Sequence, residues 1–207
     1  MTRRRSRPAA AHETHATPLD PDELEGLVPT HLQTQEELNQ WEAANIDEAE
    51  RWASRNVTHD PLSVEALRDL HRRMLDQTWR WAGSFRQRLK NISPVRPEQI
   101  SEQLSNLVAN VREQHAHSDR SAESLDELAL RFHHQLVRIH PWPNGNGRHA
   151  RLATDLLLRK WGRPRFTWGS GRRLAGGEIR SAYIGALKSA DGGDYRPLRA
   201  FVRSSKP

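Results

Sequence analysis

Residues 140–151 read His-Pro-Trp-Pro-Asn-Gly-Asn-Gly-Arg-His-Ala-Arg, which places an imidazole, a glycine-rich turn and two guanidinium groups within one short stretch. The two prolines stop a preceding helix just after His140 and leave its ring at the mouth of a loop. Asn144-Gly145-Asn146-Gly147 then feeds directly into another helical pattern. Backbone N–H groups of such a turn, backed by the positive end of a helix, form a cradle for anions. Arg148 and Arg151 lie three residues apart on that helix, so both can face one anion. Trp142, held between prolines, reads as a core anchor for the loop. Asn-Gly is also a common hairpin turn, but helical patterns flank it on both sides here. A base, a phosphate nest and two guanidinium groups describe a phosphoryl- or nucleotidyl-transfer site.

Helices must position these groups. Leu38, Trp41, Asn45, Ala49 and Trp52 trace a 3–4 spacing through an acidic amphipathic helix over about 34–56. Asp60-Pro61 or Ser63 opens a second helix with Leu67, Leu70, Met74 and Leu75 inward. A third over about 97–114 turns Ile100, Leu104, Leu107, Val108 and Val111 to one face. A fourth, opening at Ser124 with Glu127 as a capping box, buries Leu128, Phe132, Leu136 and Ile139 and delivers His140. The fifth follows Asn146, with Leu152, Leu156, Leu157 and Trp161 inward. Shorter helices are expected over 177–190 and 194–202. Residues 79–95 lack helical spacing and carry Gly83 and Pro94, which predicts a short β-hairpin. The expected fold is all-α with one hairpin, and residues 1–17, rich in Arg, Ala and His, read as a flexible basic tail outside a domain over 18–207.

Composition narrows the surroundings. There is no cysteine in the chain, which removes disulfides, thiolate metal sites and thiol catalysis and suits a reducing interior. No apolar run approaches the ~18 residues of a membrane span, and the N-terminus lacks a secretory signal, so a cytoplasmic protein is expected. Eleven histidines are present, but no ligand spacing marks a zinc site. From Gly145 onward there are 14 basic and 4 acidic residues, against 18 and 22 before it. Arg159, Lys160, Arg163, Arg165, Arg172 and Arg173 cluster around Trp161 and Trp168, which would also suit nucleic-acid binding. The alternative reading, a solvated face that attracts a nucleotide, is preferred.

The 140–151 segment resembles the signature of the Fic (Fic/Doc) family, His-Pro-Phe-x-(Asp/Glu)-Gly-Asn-Gly-Arg-x-x-Arg, with seven fixed positions identical and Trp142 in place of Phe. Trp81-Ala82-Gly83-Ser84-Phe85-Arg86 is similar to the start of that family's flap, and residues from about Pro18 to Val202 are similar to its subgroup called mobile mystery protein B. The resemblance implies a helical domain that transfers AMP from ATP to a hydroxyl side chain of a target protein. It makes His140 the base. The amides of Gly145, Asn146 and Gly147 would hold phosphates, with Asn146 adding a side-chain donor. Arg148 would neutralise the leaving pyrophosphate side and Arg151 would hold the γ-phosphate. Asn144 stands where the family places an acidic ligand for Mg²⁺ or Mn²⁺, which implies weak metal binding, and leaves open a different transferred group. Phe85, Arg86, Asn91 and Ile92 would belong to a flap that pairs with an extended target segment. Glu42 stands where an inhibitory glutamate would pair with Arg151. A regulatory partner chain, of the antitoxin kind, is a further implication.

Overall fold

The computed structural model describes residues 21–56, 60–170 and 176–204. The expected tail over 1–17, together with Arg172 and Arg173, lies outside the described residues. The chain forms helices α1 (Pro21–Leu24), α2 (Gln35–Arg55), α3 (Val64–Leu75), α4 (Ile100–His117, preceded by a 3-10 turn over Pro97–Gln99), α5 (Ala122–Ile139), α6 (Asn146–Lys160), α7 (Gly176–Asp191) and α8 (Arg196–Val202). Among the described residues the only β pairing is an isolated bridge between Leu27 and Trp79. The fold is all-α.

Local chemistry explains the helix starts. Thr34 caps α2 through a reciprocal capping box with Glu37, and Ser63 caps α3 by accepting from the Ala66 N–H. At α5 the cap is Ser121, which accepts from the Ser124 N–H; the expected Ser124–Glu127 box does not form, and Glu127 instead pairs with Arg131 and Arg199. Helices α5 and α6 form the centre. Their opposite sides feed two apolar clusters, one shared with α2, α3 and α4, the other with α7, α8 and Phe166. Helix α6 is therefore buried almost all round.

Helix α2 buries Leu38, Asn45 and Ala49 of the expected stripe, with Glu42 inward in place of Trp41. Leu38, Glu42, Asn45, Ala49 and Ala53 are buried, whereas Trp41 stays at the rim and donates its indole N–H to the Gln77 carbonyl. A carboxylate replaces an aromatic ring inside because it meets charged and polar partners there, as described below.

The hairpin expected over 79–95 is absent; that stretch is a chain of turns. The reason is Arg86, only 1% exposed. Its Nε donates to the His140 carbonyl (2.7 Å), Nη1 to the Arg88 carbonyl (2.7 Å) and Nη2 to the Val95 carbonyl (2.6 Å). One guanidinium thus satisfies carbonyls that a strand ladder would otherwise occupy. Lys90 is likewise turned inward, onto Glu23 of α1 (2.8 Å).

Candidate active site

His140 ends α5 in the left-handed conformation (φ 52°, ψ 59°) and its N–H bonds the Leu136 carbonyl. The following Pro141 cannot continue the helix, so the chain turns sharply into the 141–145 loop. Burial, then the charges of Arg86 and Lys90, push the imidazole down to about 4, against a hydrogen bond to the Val137 backbone that works the other way. At neutral pH the ring is therefore uncharged: with one nitrogen on the Val137 carbonyl, the other is a proton acceptor.

Asn146 closes the loop. Its Oδ1 accepts from the Trp142 N–H (3.0 Å) and its Nδ2 donates to the Trp142 carbonyl (2.9 Å). The Asn146 side chain is buried, and its Nδ2 keeps a second N–H beyond the one given to the Trp142 carbonyl. Gly145 takes φ +79°, and a Cβ there would lie 2.8 Å from Leu75 Cδ1, so glycine is required on two counts. Its N–H donates to Asn144 Oδ1 (2.6 Å). In the first turn of α6, the N–H groups of Asn146, Gly147 and Arg148 have no intrahelical acceptor.

The Asn144 side chain, committed to that amide, supplies no negative charge. No cluster of three His, Cys, Asp or Glu side chains able to hold a metal occurs among the described residues. Toward Mg²⁺ or Mn²⁺ bound with phosphates, Asn144 would offer a neutral amide oxygen in place of a carboxylate.

The two motif arginines differ in their surroundings. Arg148 Nη1 lies 2.8 Å from Glu42 Oε2, while Glu42 Oε1 accepts from the Trp79 indole N–H at 2.6 Å. Glu42 is 4% exposed, so both oxygens of a buried carboxylate are satisfied. The expected partner was Arg151; the structure assigns Arg148. Arg151 instead lies over the Tyr183 ring, 5.4 Å from its centroid, and no carboxylate among the described residues pairs with it. Tyr183 in turn lies 2.9 Å from His133 Nε2. Burial holds His133 down at about 3 and pushes the Tyr183 hydroxyl up to about 12, so this pair stays neutral beneath Arg151.

His149, within the motif, is fully buried. Its Nδ1 accepts from the Trp142 indole N–H (3.2 Å) and its Nε2 lies 2.9 Å from the Leu67 carbonyl. Burial pushes it down to about 4, which suits this neutral brace. A tryptophan in the core needs an acceptor for its N–H, and the nearby motif histidine was the available signal. Phe85 stacks on Trp142 (5.3 Å between centroids) beneath Arg68. Of the four expected flap residues, Phe85 and Arg86 therefore contact the 140–145 loop. Asn91 and Ile92 are exposed, and Leu89, not singled out from the sequence, is exposed beside them (69%, against 57% for Ile92).

Comparison with known proteins bears on this arrangement. Residues 61–158, which run from α3 through most of α6, match the Fic/DOC family. The chain contains a Fic/DOC family domain. It is 31% identical over 157 residues to protein adenylyltransferase fic-1 of Caenorhabditis elegans, covering 70% of this chain and 27% of that protein. A solved structure of Fic-1 from the same organism superposes with a TM-score of 0.57 at 30% identity, covering 76% of this chain and 47% of that one. The Bartonella tribocorum BepC protein shares the fold, with a TM-score of 0.65 at 19% identity over 83% of this chain and 87% of its own. The chain thus spans about a quarter of the curated relative's length. No helix among the described residues is long and apolar enough to cross a membrane.

Proposed function

We propose that this Fic/DOC domain transfers AMP from ATP to a hydroxyl side chain of another protein. The observation that supports the reading is that His140, at the end of α5, is joined by the 141–145 loop to the N-terminus of α6, which carries Arg148 and Arg151. The triphosphate rests on the amides of Asn146, Gly147 and Arg148, with Arg151 available to the terminal phosphate. His140 accepts the proton of the attacking hydroxyl; a bond forms from that oxygen to the α-phosphorus, the bond from the α-phosphorus to the bridging oxygen breaks, and pyrophosphate leaves with that electron pair. Developing charge lies on phosphate oxygens, so positioning and positive groups supply most of the acceleration. The names of the relatives, protein adenylyltransferases, support the choice of AMP.

The exposed Leu89, Asn91 and Ile92 form the face on which an extended target segment would lie, and Glu42 restrains the site by occupying Arg148. Four of the six cationic residues behind the nucleic-acid alternative have partners within the protein. Lys160 pairs with Asp60 (2.9 Å), Arg163 and Arg165 lie 3.7 and 3.4 Å from Asp126 and Asp155, and Arg159 donates to the Ser54 carbonyl.

The test is transfer of label from ATP labelled at the α-phosphate to protein, with mass spectrometry of the product. An added AMP mass, abolished by His140→Ala, is the expected result. A different added mass would assign another phosphate-containing group, and label from the γ-phosphate alone would overturn the reading.

A further inference from the structure

Helix α3 contributes a side chain that neither the motif nor the charge pattern singles out. His71 is fully buried on the face that carries Leu67 and Leu75. Its ring stacks on Trp142 with centroids 4.4 Å apart and an interplanar angle of 16°. The Gly83 N–H donates to its Nδ1 at 2.9 Å, and its Nε2 lies 3.1 Å from the Asn144 carbonyl. An amide N–H only donates and a carbonyl only accepts, so the partners determine the tautomer: Nδ1 is bare and Nε2 carries the proton. Burial, with His149 and Arg148 beside it, holds the ring well below the ordinary histidine range, against the pull of the Asn144 carbonyl.

We propose that His71 is a positioning residue that ties the base of the 80–96 loop to the phosphate-binding turn through one neutral imidazole. The proposal rests on the reading that this turn holds a nucleotide. The Asn144 carbonyl and the Gly145 N–H belong to one planar peptide. Holding the carbonyl toward α3 aims that N–H the opposite way, and so orients the turn that leads into the first-turn amides of α6. The ring is in contact range of the turn: a Cβ on Gly145 would lie 3.4 Å from His71 Nε2. On the other side, Gly83 (φ +78°) packs so tightly on α3 that a Cβ would lie 3.0 Å from the Arg68 carbonyl oxygen. Its own carbonyl accepts from Arg68 Nε at 3.1 Å. From Gly83 the chain runs to Phe85, on Trp142, and to Arg86, which holds the His140 carbonyl. One ring thus borders both the segment that holds the base and the segment that holds the phosphates. A purely apolar residue of similar shape would fill the space and leave a buried N–H and a buried carbonyl unpaired.

Two isosteres separate the two bonds. Glutamine carries an N–H near the position of Nε2, and asparagine carries an oxygen near that of Nδ1. In the full chain, His71→Gln is expected to keep ATP affinity within about threefold while the Gly83 amide hydrogen exchanges about tenfold faster. His71→Asn is expected to keep Gly83 protected and weaken ATP binding about threefold to tenfold, one hydrogen bond's worth, with faster exchange at residues 145–147. His71→Leu should show both losses. Calorimetry reads the affinity and NMR reads the exchange. Indistinguishable behaviour of the Gln and Asn variants overturns the proposal, as does a ¹⁵N spectrum of the wild-type ring with the proton on Nδ1. Wild-type protein that binds no ATP overturns the adenylyl-transfer reading instead. The coupling is then decided by exchange alone, and equal protection of residues 145–147 in wild type and His71→Asn refutes it.

Discussion

Replacing Glu42 by glutamine tests whether the α2 carboxylate restrains the nucleotide site. For Arg148 to meet a phosphate it must leave Glu42 Oε2, 2.8 Å away. A hydrogen bond between charged partners contributes about 1.5–3 kcal/mol. The Arg148 side chain is 33% exposed against 5% for Glu42, so water already screens one end and the lower figure, about 1.5 kcal/mol, is the appropriate one. Glutamine keeps an oxygen for the Trp79 indole N–H and so avoids leaving a buried donor unpaired, which truncation to alanine would do at a further cost of about 1–3 kcal/mol. Glu42→Gln is therefore expected to bind ATP about tenfold more tightly than wild type, with faster self-labelling and little change in Tm. Isothermal calorimetry with a parallel thermal melt measures both. Glu37→Ala serves as the control: it removes the exposed capping box of α2, so it should lower Tm and leave affinity unchanged. Affinity of Glu42→Gln within about twofold of wild type, with the fold intact, would show that the pair is a clasp and not a restraint. Weaker binding would mean that Glu42 holds Arg148 in its working position.

Two other expectations follow from the buried polar groups. Trp142→Phe restores the aromatic type of the Fic motif but strands His149 Nδ1 without its donor, so it should destabilise the protein by about 1–2 kcal/mol. His149→Leu in the same chain should recover part of that loss, which denaturant melts of the single and double variants will show as a coupling. Asp155 is pushed up to about 6, chiefly by burial, against hydrogen bonds from Trp168 and Phe166 and the nearby Arg165. Its native carboxyl holds a proton more tightly than the unfolded chain does, so its contribution to stability is fully present below about pH 4 and is lost as pH rises through about 6. Asp155→Asn should therefore gain on wild type between about pH 4 and pH 7, by at most about 3 kcal/mol, as read by urea melts at the two pH values; a pH-independent difference would refute the assignment.

How much of this was legible beforehand depends on the range of each interaction. Helix starts at Thr34 and Ser63, the apolar stripe of α3, the end of α5 at His140 and the turn at Gly145 all follow from residues within a few positions of one another, and a periodic pattern or a cap states them directly. The composition of the 140–151 segment likewise predicts an anion site, because the imidazole, the glycines and the arginines are contiguous. What the tertiary structure decided is which polar side chain meets which. Glu42 reaches Arg148 and Trp79, His71 reaches Asn144, and Arg86 reaches the His140 carbonyl across long stretches of chain. Hydrophobic patterning leaves such residues on the surface, since an isolated charge or imidazole belongs in water. Burial becomes favourable only once the partner has been brought alongside, so the inward turn of Glu42, the neutral brace of His149 and the turns that replace the hairpin appear only after α2, α3 and α6 have packed together.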